Sequence, residues 1–191
     1  MASLTNVANM ALAMLGQERI TRLDTDTSKP ASLCNEFLSQ VRDECLILHP
    51  WGFAKRRASL PALATAPIFD WNYAYNTPAG CLRVLWLDAD DPHEPFAVED
   101  GQVLSNLSAP LGIVYITRVV DPGSWSPLFV RLVAGELADI LTIPLSADKQ
   151  QVALLEKRLM RFRADARSVN AAEGTPRPAY APAESLILAR Q

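Results

Sequence analysis

Apolar residues recur at helical spacing in four stretches of the chain and alternate in the stretch between the second and third. Leu4, Val7, Ala8, Ala11, Met14 and Leu15 form one stripe, which predicts a helix over 4–15 with Ser3 as its cap and Gly16 as its stop. Pro30 suits the first turn of a second helix, and Asp24 and Asp26 before it suit the positive end of its dipole. Leu33, Cys34, Phe37, Leu38, Val41, Cys45 and Leu48 carry its buried face to His49, and Pro50 ends it.

The middle of the chain reads as β. A strand is expected over 51–60, with Lys55, Arg56 and Arg57 on its outer side. Phe69, Trp71, Tyr73 and Tyr75 alternate along 69–75, a loop or short strand in which all four rings would face one way. Strands are also expected over 81–87 and 112–119. Asp100-Gly101 lies between the short apolar runs 96–99 and 102–104, the strongest short-range hairpin signal in the chain. No helical pattern separates these strands, so the sheet is antiparallel rather than doubly wound.

Helical spacing returns after Ser126 and Pro127, which cap and open a helix to about Ile143 through Phe129, Leu132, Val133, Leu137, Ile140 and Leu141. Pro144 ends it. Ser146 caps a last helix to about Ser168, with Val152, Leu155, Leu159, Phe162 and Ala166 inward. The order predicts an α+β fold: a four-helix bundle with an antiparallel β insertion projecting from one end, followed by an extended Pro/Ala-rich tail. The segments are 1–50 for helices one and two, 51–124 for the insertion, 125–170 for helices three and four, and 171–191 for the tail.

Pro176, Pro178 and Pro182 keep the tail out of a helix, and Leu186, Ile187 and Leu188 form an apolar plug beyond Tyr180. Three adjacent aliphatic residues gain nothing from water, so a partner is expected to bury them. The alternative is a frayed terminus folded back on its own domain.

With 191 residues, the chain can bury a sizeable core without a disulfide or metal staple. No apolar run approaches the roughly 18 residues of a membrane span, and the order of charge near the N-terminus argues against a secretory signal. The net charge of −3 gives no bulk attraction to nucleic acid, so any DNA contact is local. The cysteines Cys34, Cys45 and Cys81 read as reduced, buried residues of a protein made in the cytoplasm. Cys34 and Cys45 share a helix face but lie about 16 Å apart, too far for a disulfide.

Candidate chemistry is sparse. Asp88, Asp90, Asp91, His93 and Glu94 carry oxygen and nitrogen donors, yet no glycine turns that run, and Pro92 and Pro95 stiffen it. It reads as a solvated connection, with no metal expected. The two histidines, His49 and His93, have no G-x-S-x-G nucleophile to serve, and neither a P-loop nor a G-x-G-x-x-G is present. No catalytic residue and no cofactor is expected.

The run Arg42-Asp43-Glu44-Cys45-Leu46 leads into His49-Pro50-Trp51-Gly52-Phe53-Ala54 and on to Arg56-Arg57-Ala58. Tyr73, Tyr75 and Pro78 follow, then Cys81-Leu82-Arg83-Val84-Leu85, Val114-Tyr115-Ile116, Asp121-Pro122, Pro127-Leu128-Phe129 and Leu137-Ala138. In this order the pieces resemble the tail tubular protein A family of tailed phages, the head-to-tail connector or adaptor proteins, from about residue 4 to about residue 168. The resemblance implies a virion protein of the neck or tail, with no enzymatic activity. It would form a ring, usually dodecameric, beneath the portal protein. That ring extends the channel for DNA, which passes without sequence specificity, and supports a downstream tail or nozzle protein. No membrane partner is implied.

The remaining candidates are surfaces. Lys157, Arg158, Arg161, Arg163 and Arg167 line the last helix; they would meet acidic residues or DNA phosphate at a ring lumen, or form a solvated face. Lys55, Arg56 and Arg57 beside Trp51 and Phe53 would bind nucleic acid or a neighbouring subunit, or protect an edge strand from wrong pairing. Trp71, Tyr73 and Tyr75 are the expected exposed interface aromatics. A DNA-binding or packaging accessory is the rival class.

Overall fold

The computed structural model describes residues 3–91, 93–145 and 149–172. Ser146, Pro92 and the tail residues Pro176, Pro178, Tyr180, Pro182, Leu186, Ile187 and Leu188 lie outside them. The described residues form an α+β protein with four α-helices and two three-stranded antiparallel sheets.

The helices are α1 (Leu4–Met14), α2 (Lys29–Leu48), α3 (Pro127–Leu141) and α4 (Lys149–Ala172). Ser3, Ser28 and Ser126 cap the first three, each side-chain oxygen accepting from a backbone N–H three residues on. Gly16 (φ 67°) follows α1 in the left-handed region. Packing against α1, α2 and α4 together makes α3 the central helix. Six of its residues, Leu132–Gly135, Leu137 and Ala138, are buried in near succession. Gly135 permits this closeness, because a Cβ there would stand 2.7 Å from Leu159 Cδ2 and 3.2 Å from Phe162 Cδ2.

The strands are β1 (Lys55–Leu60), β2 (Tyr73–Asn76), β3 (Cys81–Leu87), β4 (Ala97–Glu99), β5 (Gln102–Ser105) and β6 (Leu111–Thr117). One sheet has the order β1-β6-β3 and the other β2-β5-β4. Glu99 pairs with Gln102 across a turn in which Asp100 (φ 46°) and Gly101 (φ 72°) both have positive φ, the primed geometry that suits strand twist. Leu60, Tyr75, Val84, Leu87, Val103, Leu111, Ile113 and Tyr115 make one apolar core.

The chain divides into two compact units. A helical one runs up to Lys55 and resumes at Ile116, and a β one spans Arg56–Tyr115.

Several boundaries differ from the sequence expectation. The strand expected from 51 begins only at Lys55, because Trp51 is buried with its Nε1–H donating to the Cys45 carbonyl, and its own carbonyl accepts from the Ala54 N–H to close a 3-10 turn over Gly52–Ala54. Strand β6 stops at Thr117 rather than 119, and the Val119 carbonyl instead accepts from Trp125 Nε1. The end of α3 comes at Leu141, leaving Ile143 87% exposed. Leu48 is exposed while Arg42 and Leu46 are buried, because the buried face of α2 is centred further round the helix than its Leu and Val positions suggest. The last helix continues past Ser168 to Ala172, through the helix-favouring Ala171-Ala172 pair.

Candidate interaction surfaces

The loop from Pro61 to Asn72 joins β1 to β2 and carries the most exposed apolar side chains of the β unit. Ile68 is 95% exposed and Phe69 is 72% exposed. Asp70 follows with φ 67°, and the Trp71 N–H donates to the Phe69 carbonyl at 2.8 Å. This is a three-residue turn of the rare, strained hand, held at a residue type that tolerates positive φ. Strain of this kind costs free energy and persists where the surroundings impose it, often at a binding site. Beside the turn lies a cleft of about 340 Å³ floored by Leu63, Ala74 and Leu104, with exposed Asp70, Glu99 and Asp100 at its rim.

The expected interface aromatics separate here. Trp71 is half-buried and lines the cleft, and Tyr73 is 36% exposed at the end of its strand. Tyr75 is not an interface residue of the free chain. It is fully buried in the β core, and its hydroxyl donates to the Leu107 carbonyl. Alternation alone gave all the rings one face, but Tyr73 opens β2 whereas Tyr75 lies inside it, where core side chains cover it. Ile68 escaped the sequence reading, although an apolar pair between Pro67 and Asp70 in a loop was the available signal.

Lys55, Arg56 and Arg57 are exposed on β1, an edge strand of its sheet, where cations disfavour further strand pairing. On α4, Arg158 and Arg161 are exposed, as are Lys157 and Arg167, and Met160 between them is 71% exposed. Arg163 is exposed as well, but it is paired within the chain. Its Nε and Nη2 each donate to Glu136 at 2.6 Å, and that pairing raises its pKa. Arg131 stacks 4.0 Å over the Phe162 ring. The basic row read from sequence is therefore partly an intramolecular clasp between α3 and α4.

A polar cluster ties the end of α4 to the end of α2. Asn170 Oδ1 accepts from the Gly52 N–H at 2.7 Å, and Asn170 Nδ2 donates to the Pro50 carbonyl at 3.2 Å and meets His49 Nε2 at 2.8 Å. The two backbone groups fix the amide orientation, so His49 Nε2 must accept and its proton sits on Nδ1. Burial lowers the His49 pKa, and the positive charges of Arg167 and Lys55 lower it further. With a folded pKa below the ordinary 6.5, this clasp stabilises fully above that value and is lost as pH falls through the folded pKa. Asn170→Ala is expected to cost about 1–2 kcal/mol near neutral pH. Asn170→Asp is expected to reverse the pH slope, because a carboxylate favours the imidazolium and stabilises most below the unfolded pKa. Urea midpoints between about pH 5 and pH 8 read both effects.

Burial pushes the Cys34 thiol up to about 11 and the Cys45 thiol upward as well, so both stay protonated. Asp91 Oδ1 accepts from the His93 N–H, an internal turn contact. Among the described residues, no group of three or more His, Cys, Asp or Glu is placed to hold a metal, and no helix is long and apolar enough to cross a membrane. No protein-family model matches the chain, and no curated protein sequence matches it.

Proposed function

We propose that the chain is a structural virion protein, a head-to-tail adaptor whose copies form a ring, expected to be dodecameric, between the portal and the downstream tail or nozzle protein. Its four helices form a bundle interrupted by the β unit. The ring extends the DNA channel, and its mechanism is assembly. The reading starts from the ordered resemblance over residues 4–168. The observation that carries it further is the strained turn at Asp70, which keeps Ile68 and Phe69 in water beside an open cleft. Such residues have a purpose when another chain covers them.

The segment from Pro176 to Gln191 orders on the portal in this reading, with Leu186, Ile187 and Leu188 filling apolar pockets. Ordering one tail costs conformational entropy, so attachment depends on many tails engaging together on a ring. Negative-stain imaging of the chain mixed with the portal of the same virus tests the proposal. A ring stacked beneath the portal is expected, and deletion of residues 172–191 is expected to abolish it while the remaining chain stays folded. A portal shown to be intact that captures nothing overturns the adaptor reading. Exposed Arg158 and Arg161 favour the DNA-binding alternative in that event, with affinity that falls steeply with salt.

A further inference from the structure

We infer that the acidic cleft beside the Asp70 turn receives the outward face of α4 from a second copy of the chain. The two surfaces are complementary in charge, and each carries exposed apolar side chains. The cleft offers an apolar floor, two projecting apolar side chains at Ile68 and Phe69, and an anionic rim of Asp70, Glu99 and Asp100. The α4 face offers Lys157, Met160, Arg161 and Ala164, every one exposed; Met160 and Arg161 both lie three or four residues from Lys157 and from Ala164, so the four share one side of the helix. Met160 supplies an unbranched, adaptable side chain along one border of that face, with Lys157 and Arg161 beside it. Apolar side chains with opposite charges beside them are the usual anatomy of a specific contact, the apolar part giving affinity and the charges giving register.

The two surfaces are different, so the contact is heterologous. Each copy presents a cleft to one neighbour and a helix face to the other, and repetition closes a ring when the rotation per copy divides a full turn. The inference therefore rests on the adaptor reading and supplies the subunit contact that reading needs. It also gives the α4 cations a protein partner in place of DNA phosphate.

Cysteine pairing between full-length chains tests it directly. Ala66 is exposed at the cleft and Ala164 is exposed on the α4 face, so each accepts cysteine without disturbing the core; the native Cys34 and Cys45 are buried, and the half-buried Cys81 is replaced by serine in both chains. An equimolar mixture of Ala66→Cys and Ala164→Cys chains under a mild oxidant is expected to give a mixed disulfide dimer. Its yield should exceed that of either variant alone by about tenfold. Lys157→Glu on the Ala164→Cys chain is expected to lower the yield about tenfold, and Glu99→Lys on the Ala66→Cys chain to restore it. Asp70→Asn removes the rim charge while keeping a residue suited to positive φ, and should weaken the pairing in the same direction.

Equal yields from the mixture and the single variants overturn the inference, as does a mixed yield indifferent to the charge changes. Wild-type rings seen beneath a portal without mixed pairing also overturn this contact, while leaving the adaptor reading intact. Charge-dependent mixed pairing without portal attachment supports the contact and counts against the adaptor reading.

Discussion

Phe129→Ala is expected to lower the stability of the helical unit by about 3–5 kcal/mol. Phe129 is fully buried, and three aromatic rings surround it at centroid distances of 5.1 Å for Trp51, 5.0 Å for Phe53 and 5.3 Å for Trp125. All three contacts are edge-to-face, a geometry that contributes about 0.5–1.5 kcal/mol per pair beyond area burial. Two of the three surrounding rings are held by hydrogen bonds, since Trp51 Nε1 donates to Cys45 and Trp125 Nε1 to Val119. They cannot collapse into the space left by the missing ring without breaking those bonds, so most of the cavity persists. Denaturant titration followed by the indole N–H resonances of Trp51 and Trp125 measures the loss in the helical unit specifically. A loss below about 1 kcal/mol would show that this cluster is not its core. Phe129→Leu retains much of the volume and removes the edge-to-face contacts, so the difference between the two variants isolates the aromatic contribution.

Asp43→Ala is expected to cost about 3 kcal/mol, the second large effect. Asp43 Oδ1 accepts from Arg42 Nε at 2.8 Å and Asp43 Oδ2 from Arg118 Nε at 2.7 Å. The two arms are unequal. The Arg42 side chain is 9% exposed, so removal of the carboxylate strands a buried charge, whereas Arg118 is 46% exposed and water replaces its partner. The cost therefore comes almost wholly from Arg42. Two consequences distinguish this account from a surface ion pair. The loss should change little with added salt, since buried pairs are weakly screened. The double variant Arg42→Met with Asp43→Ala should recover most of the stability, since an apolar side chain of similar length fills the site without a charge. A single-variant loss that disappears in high salt would place the pair at the surface and overturn the argument.

The sequence by itself determined the order of elements and most of their limits, because those depend on neighbours close along the chain. Serine caps at Ser3 and Ser126, the stop at Gly16 and the Asp100-Gly101 turn are local hydrogen-bonding and φ requirements. They stood in the structure where the residues placed them. Helical spacing likewise gave Cys34 and Cys45 one buried face. Tertiary structure alone decided what long-range contacts control. Tyr75 became core and Phe69 stayed in water because burial depends on which strands cover a residue, and alternation carries no such information. Arg163 turned to Glu136, 27 residues away, and Asn170 clasped the turn after α2, at separations of up to 121 residues. A basic row and a lone asparagine look the same in sequence whether solvated or engaged. Which one holds is settled by whether folding brings a matching group within hydrogen-bond reach, and here it brought one to Arg163 and to Asn170.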